Sequence, residues 1–345
     1  MGVDLRDLVT RRRVRLQDLS GRTIAVDGFN TLYQFLSIIR GVDGRPLMDK
    51  SGKVTSHLSG LLYRTSSLIE SAVFPAFVFD GEPPKLKRAE IQRREEVRRE
   101  ASAKYAKALS EGRIEEARIY AQASSRLTDY MLSDAERLLN LMGIPWIQAP
   151  SEGEAQAAYM SSKGVVWAAG SQDYDAILFG APVLVRNIAI TGRRKLPRKN
   201  VYVEVEPEVV ELRHVLQELG LDRRQLIILG ILIGTDYNPE GVPGIGPKTA
   251  LSLVKKYSSL EEIRAHLKDG GCFPVDPEEL VDMFLNPEVT DSFSLEWREP
   301  DVEGVVAFLC KERDFSEERV RKALDKMMEG LKKNSGRMRL EKWFG

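Results

Sequence analysis

The stretch PSEGEAQAAYMSSKGVVWAAGSQDYDAILFG, residues 150–180, places acids on both sides of a short apolar run. Its charged residues are Glu152, Glu154, Lys163, Asp173 and Asp175. The run VVWAAG has the length and composition of a buried strand, so the second acid pair follows a strand. Because alternate residues of an extended chain face the same side, Asp173 and Asp175 are expected to point together.

Two other segments have the same form, an apolar run closed by an acid: RTIAVDG at 22–28 and VFPAFVFDG at 73–81. Long helical patterns separate these runs, which indicates an α/β fold with a central, twisted, largely parallel sheet flanked by helices. Ligands of such folds bind outside the carboxyl ends of the strands. The acids expected at that edge are Asp27, Asp80, Asp173 and Asp175.

The composition is that of a chain able to bury a full core, with 345 residues of which 43% are hydrophobic. This length allows one large domain or two ordinary ones. No apolar run is long enough for a signal peptide or a membrane span. Cys272 and Cys310 lack zinc-ligand spacing and suit a reducing compartment. Basic and acidic residues number 51 each, so net charge favours no class of partner.

A charged insert follows the second run, from about residue 83 to residue 131. Good helix formers and alternating charges predict one or two long exposed helices. Its segment 85–107 holds nine basic residues and four acidic ones. The insert is therefore a basic helical element, with an ordinary solvated helical face as the alternative.

Residues 223–257 predict an apolar helix, a glycine-rich turn and a second helix. A nucleotide-binding loop is excluded because Pro247 stands where that motif needs lysine. The pattern VPGIGPK instead indicates a helix-hairpin-helix turn. At Gly244 and Gly246 such a turn exposes backbone N–H groups to a phosphate, and Lys248 adds positive charge.

The acids have a modest alternative explanation, because Ser151-x-x-Glu154 matches a capping box. That explanation does not cover the other acids. Two like charges about 4 Å apart repel by roughly 4 kcal/mol at an effective dielectric constant of about 20, so the cluster needs cations. With only three histidines in the chain, oxygen ligands favour Mg²⁺ or Mn²⁺ over zinc. Surplus carboxylates favour two ions about 4 Å apart and a phosphoryl-transfer hydrolase over a structural acidic patch.

The series VDGFNTLYQFL, FVFDGEPPKLK, PSEGEAQAAY, GSQDYDAILFG and GTDYNPEGVPGIGPK resembles the flap endonucleases of the structure-specific 5′-nuclease superfamily across nearly the whole chain. The short tail is similar to that of archaeal members. The resemblance implies a 5′-nuclease fold, similar to that of PIN domains. It also implies a two-metal site formed by Asp27, Asp80, Glu152, Glu154, Asp173, Asp175 and Asp236.

The resemblance further implies that Lys87 and Arg94, at the base of the insert, contact the scissile phosphate. Their spacing puts them on one helix face. Tyr33 matches the aromatic on which such enzymes stack a base, with core packing as the alternative. The insert is similar to the helical arch that passes a 5′ flap, and the GVPGIGPK turn to a motif that grips duplex phosphates and binds K⁺. Positions that hold a one-nucleotide 3′ flap in the family match Arg40, Thr55, Arg313 and Phe315.

The tail SGRMRLEKWFG resembles the sliding-clamp-binding box of replication proteins. Leu340, Trp343 and Phe344 have its spacing and would share one face of a helical turn. Arg337 stands where the box normally has glutamine. The alternative is that the tail packs on its own domain.

Together these patterns predict a monomeric flap endonuclease and 5′→3′ exonuclease of replication and repair. It would have one nuclease domain, residues 1–330, and a clamp-binding tail, residues 331–345. An archaeal chain would be cytoplasmic, and a eukaryotic one nuclear. The rivals are a related 5′-nuclease with another preferred junction, a small RNase, and a non-catalytic junction binder that recruits the clamp. The basic insert and the glycine-rich turn disfavour the RNase, and the complete set of acids disfavours the binder.

Overall fold

The apolar runs of the sequence form the middle of one β-sheet. Its strands are β1 (Arg12–Arg13), β2 (Thr23–Asp27), β3 (Phe74–Phe79), β4 (Trp146–Gln148), β5 (Ala168–Gly170), β6 (Val183–Arg186) and β9 (Glu208–Glu211). A separate ribbon pairs β7 (Gly192–Lys195) with β8 (Tyr202–Val205). This computed structural model describes residues 2–41, 44–123, 126–195, 202–257, 259–267 and 273–344.

The strand order of the sheet is β1-β9-β6-β5-β2-β3-β4. Neighbouring strands from β6 to β4 run parallel, while β9 is antiparallel to both β6 and β1. The chain passes from β2 to β3 and β4 on one side, then returns to β5 and β6 on the other. The carboxyl ends of β2 and β5 therefore flank a topological switch point, where such sheets bind ligands. The predicted α/β fold is confirmed.

Helices cover both faces of the sheet. In chain order they are α1 (Gly28–Ile38), α2 (Ser56–Glu70), α3 (Arg88–Ser110), α4 (Ile114–Ala123), α5 (Asp129–Leu141), α6 (Gly153–Ser162), α7 (Asp175–Leu178), α8 (Leu212–Leu219), α9 (Arg223–Ile233), α10 (Pro247–Lys256), α11 (Leu260–His266), α12 (Pro277–Leu285), α13 (Val302–Val306) and α14 (Glu317–Phe344). Because side chains alternate along β2, Ile24 and Val26 pack in one apolar layer with α1, α2, α5 and α14. Ala25 packs in the other layer with α6, α7, α9 and α12.

The third apolar run is shorter than the sequence predicts. Its strand β5 ends at Gly170, and Asp175 is already the first residue of α7. The Ser171 hydroxyl accepts the N–H of Asp173 at 3.2 Å, which turns the chain away from the sheet. The prediction that Asp173 and Asp175 alternate on an extended strand is therefore wrong.

The charged insert forms the two helices α3 and α4, joined by a short turn at Gly112. Most described side chains of α3 face solvent, while Ala101 and Ala108 are buried. Ala117 and Ala121 of α4 are also buried, so small side chains form the seam between the helices. The prediction of long exposed helices in this segment is confirmed.

The segment 223–257 has the predicted form of helix, turn and helix, with Pro247 as the first residue of α10. Helix α14 continues through residue 330 to Phe344, and its side chains from residue 334 onward lie outside the described part. Among the helices that the structure describes, none combines the length and the apolar character that a membrane span requires.

Candidate active site

A cavity of about 300 Å³ lies at the carboxyl edge of the sheet. Its lining includes six of the predicted acids, namely Asp27, Asp80, Glu152, Glu154, Asp173 and Asp236. Asp175 lies beneath them with 3% of its surface exposed. The fold thus brings all seven predicted acids together from five segments of the chain.

Backbone N–H groups hold the two acids that end the central strands. Asp27 caps α1 by accepting the N–H of Asn30 at 2.9 Å. Asp80 accepts the N–H of Gly153 at 2.7 Å. A Cβ atom on Gly153 would lie 2.9 Å from Asp80 Oδ1, so this close approach of α6 to β3 requires glycine.

The start of α6 supplies the second pair of acids. Glu152 is the residue before the helix, and its side chain makes no capping hydrogen bond. Glu154 accepts a hydrogen bond from the Ser171 hydroxyl. The capping box between Ser151 and Glu154 is therefore not formed. Both glutamates line the cavity at the N-terminus of α6, where the helix dipole favours negative charge.

The third pair is held from the N-terminal segments. Asn30 donates from its side-chain amide to Asp173 Oδ2 at 2.9 Å. The backbone N–H of Val3 donates to Asp175 Oδ1 at 2.7 Å. The Asp173 carboxylate still helps to raise the pKa of Asp175, although the chain between them is not extended.

Burial and mutual repulsion dominate the titration of these acids. Burial, then the neighbouring acids, raise the pKa of Asp27 and the pKa of Glu154 above their ordinary values. Burial raises the pKa of Asp80 to about 6 and that of Asp175 to about 8. Ionising the whole cluster is therefore unfavourable unless cations approach it.

Lys87 and Arg94 reach into this cluster from the base of the charged insert. The Lys87 ammonium contacts Glu152 and lies 3.2 Å from Asp236 Oδ2. Arg94 donates to Asp236 Oδ1 at 2.6 Å and to Glu90 Oε1 at 2.8 Å. Burial opposes ionisation of Asp236, but Lys87 and Arg94 lower its pKa below the ordinary range.

The donor set fits hard divalent cations. It consists of carboxylate oxygens with no histidine, the chemistry that Mg²⁺ and Mn²⁺ prefer. Among the described residues, no group of three or more acids is already arranged around a common point as metal ligands would be. The side chains of Lys87 and Arg94 form ion pairs with two of the acids, Glu152 and Asp236. The unrelieved repulsion at Asp27, Glu154 and the acids beside them is what a bound divalent cation would relieve.

Tyr33 of α1 lines the same cavity, and the Arg98 guanidinium lies over its ring, with the guanidinium carbon 5.1 Å from the ring centroid. It is half-buried and faces the acids, so the alternative of ordinary core packing does not hold. Gly244, Gly246 and Lys248 are exposed at the start of α10. Gly244 has φ +80°, a conformation that favours glycine.

The residues matched to a 3′-flap site lie in two connected loops, where Lys50 N–H donates to Asp314 at 2.7 Å. Arg313 forms a two-pronged ion pair with Asp134, with both hydrogen bonds at 2.9 Å. Arg40 donates hydrogen bonds to backbone carbonyls. Thr55 is buried, and Phe315 packs on the apolar layer that contains α14. The side chains of Leu340, Trp343 and Phe344 lie outside the described part.

Four residues whose side chains hold the site were missed from the sequence: Asn30, Glu90, Ser171 and Tyr237. Tyr237 donates its phenol to Glu152. Asn30 stands three residues after Asp27, the spacing of a helix cap, which was the available signal. The position of Tyr237 directly after Asp236 was the other.

An acid cluster at the switch point of a parallel sheet, with two basic side chains over it, is the arrangement of a metal-dependent phosphodiesterase with an α/β fold. Comparison with known proteins narrows this class. The XPG N-terminal domain matches residues 1–101, and the XPG I-region matches residues 143–236.

Several relatives match over the full chain, among them the following two. Flap endonuclease 1 of Staphylothermus marinus is 52% identical over 100% of both chains, and that of Thermococcus onnurineus is 53% identical over 100% of this chain and 99% of its own. The solved flap endonuclease-1 of Methanococcus jannaschii is 42% identical with a TM-score of 0.76, covering 96% of this chain and all of its own. The catalytic core of Rad2 in complex with DNA substrate is 25% identical, with a TM-score of 0.70, over 95% and 100%. The chain belongs to the flap endonucleases, metal-dependent nucleases that act on phosphodiester bonds of branched DNA.

Proposed function

We propose that this chain cuts DNA at the junction of a 5′ flap with duplex, and also acts as a 5′→3′ exonuclease, in lagging-strand maturation and excision repair. The observation that best supports this function is the contact of Lys87 and Arg94 with the acid cluster. It places positive charge from the base of a helical arch beside a site suited to metal-assisted hydrolysis. A scissile phosphate entering the cavity would replace acids as the partner of these two side chains.

The ligands of the metal centre would be Asp27, Asp80, Glu152, Glu154, Asp173, Asp175 and Asp236. When bound, two Mg²⁺ ions, or Mn²⁺ in their place, would supply an activated water and stabilise the leaving oxygen. The chain's own contribution is to hold the carboxylates in place through Gly153, Asn30 and Ser171.

DNA recognition would depend on shape and phosphates rather than base edges. Tyr33 would stack the base next to the cut, at the mouth of the cavity. The exposed N-terminus of α10, with Gly244, Gly246 and Lys248, would grip duplex phosphates, and carbonyls of the same turn would hold K⁺. Arg40, Thr55, Arg313 and Phe315 would surround a one-nucleotide 3′ flap, for which Arg313 would have to exchange part of its pairing with Asp134.

The proposed organisation is a monomer with one nuclease domain, residues 1–330, and a clamp-binding tail at 331–345. The archaeal relatives support a cytoplasmic location. Helix α14 carries the tail, and a helical backbone is the form in which spaced apolar residues share one face.

The tail is tested by one substitution. Calorimetry with an archaeal sliding clamp should detect binding of the full chain, and Phe344→Ala should weaken that binding by at least tenfold, because an aromatic anchor of the interface is lost. The control is Lys333→Ala, an exposed residue of the same helix that lies outside the motif at 340–344 and should leave clamp binding unchanged. Equal binding by the Phe344 variant would make the tail structural.

The activity is tested with one panel of substrates in Mg²⁺: a 5′-flapped duplex, a gapped flap, a nicked duplex, a four-way junction and an RNA flap. The flapped duplex should be cut fastest, and EDTA should abolish cutting. Preferential cutting of the four-way junction would favour the related junction-specific nuclease instead.

A further inference from the structure

Tyr237 occupies a position that the proposed chemistry does not use. It directly follows Asp236, is 3% exposed and donates its phenol to Glu152. Its ring packs edge-on against Phe284 of α12, with centroids 5.8 Å apart and planes at 85°. The ring is thus fixed from the domain interior, and its polar end reaches the acid cluster.

Glu152 needs such a partner. It precedes α6 and makes no capping hydrogen bond, so the helix start does not fix its carboxylate. One carboxylate oxygen contacts Lys87, a long side chain on a different segment, and the other accepts the phenol of Tyr237. Among the described groups around Glu152, the rigid ring of Tyr237 is best suited to set the direction of the carboxylate.

We propose that Tyr237 is a positioning residue of the metal centre, which acts by holding the Glu152 carboxylate toward the cavity. This inference rests on the proposed function, in which Glu152 is a metal ligand. Groups that hydrogen-bond to a ligating carboxylate pre-orient it, and their loss typically reduces metal affinity by about 10- to 100-fold. The Lys87 ammonium, 5.6 Å from the centre of the same ring, keeps the opposite oxygen engaged before metal binds.

The test is Tyr237→Phe, which removes the phenol oxygen and keeps the ring against Phe284. Calorimetric titration of the full chain with Mg²⁺, without DNA, should show affinity reduced by about 10- to 100-fold. The control is Tyr159→Phe, which also removes a phenol oxygen but from a tyrosine of α6. The Tyr159 phenol donates to Asp291 at 2.9 Å, and neither residue lines the cavity. Melting temperatures of both variants in EDTA separate a local effect from loss of fold.

The inference holds if only Tyr237→Phe loses Mg²⁺ affinity and its melting temperature in EDTA equals that of Tyr159→Phe. It is overturned if Tyr237→Phe binds Mg²⁺ as the unmodified chain does. It is also overturned if the weaker binding comes with a larger fall in melting temperature than in the control. Failure of the unmodified chain to bind Mg²⁺ would instead contradict the proposed metal centre itself.

Discussion

Glu154 shows how much a single residue depends on contacts that the sequence does not encode. The spacing Ser151-x-x-Glu154 fits a capping box, but the Ser171 hydroxyl engages Glu154 instead. The acids themselves could be predicted, because strand ends and motif spacing mark them. The pairing of each acid with its partner could not, because Tyr237 lies 85 residues from Glu152 and Asn30 lies 143 residues from Asp173, separations over which periodicity carries no information.

The catalytic role of Lys87 can be tested by removing its charge. We expect Lys87→Ala to slow single-turnover cleavage of a 5′-flapped duplex by about 10²- to 10³-fold at saturating Mg²⁺, because the proposed contact of its positive charge with the reacting phosphate is lost. The side chain is 17% exposed, so water replaces its charge poorly.

The matched control for this prediction is Lys163→Ala. Lys163 follows α6, lies over the Tyr159 ring at 5.3 Å and is exposed to solvent. Its loss should leave the single-turnover rate within about twofold. An unchanged rate in Lys87→Ala would remove Lys87 from the catalytic site.

At the scale of elements, the long helical patterns and the strands β2 and β3 agree with the sequence prediction, whereas the end of β5 does not. The helix, turn and helix of 223–257 carry strong signals, since Pro247 opens α10 and Gly244 takes a positive φ. The end of β5 carries a weak one, because SQDYD fits both an extended strand and a serine turn. The hydrogen bond from Asp173 N–H to the Ser171 hydroxyl decides between them.

The proposed phosphate binding at the N-terminus of α10 can be tested at Lys248. Lys248→Ala should weaken binding of flapped and fully paired DNA to a similar extent and reduce the slope of log affinity against log salt by about one, because one phosphate contact is lost. Fluorescence anisotropy at several KCl concentrations measures both quantities.

Lys255→Ala, in the last turn of the same helix, is the control for charge alone. It should change neither the affinity nor the salt slope as much as Lys248→Ala does. Equal losses in the two variants would assign binding to the whole helix rather than to its exposed N-terminus.

At the scale of the molecule, 51 basic and 51 acidic residues balance, but their distribution does not. Acids converge at the sheet edge, whereas the arch presents a basic surface. Composition alone could not show this separation, because it arises only when β2, β3 and β5 align their carboxyl ends. The alignment could be predicted from the parallel sheet, while the entry of Lys87 into the cluster required the resemblance.

The cluster also predicts how stability depends on pH. The folded-state pKa values of Asp80 and Asp175, about 6 and about 8, lie above the ordinary value, so the native state binds more protons than the unfolded state between about pH 4 and 8. Stability of the metal-free chain should therefore fall as pH rises through this window. The lowered pKa of Asp236 acts at more acid pH.

Calorimetric melting in EDTA at pH 5, 6.5 and 8 measures this dependence. Asp175→Asn should flatten it, and Mg²⁺ should restore the melting temperature most strongly at pH 8. A melting temperature that rises steadily between pH 5 and 8 in EDTA would contradict the described balance of charges.

The most direct measurement compares cleavage and binding of a 5′-flapped duplex by Asp175→Ala and by Asp291→Ala, whose carboxylate lies outside the cluster. We expect Asp175→Ala to bind the flapped DNA but to show no Mg²⁺-dependent cutting, whereas Asp291→Ala should cut normally. Equal cutting by Asp175→Ala and the unmodified chain would contradict the assignment of this acid cluster as the metal centre.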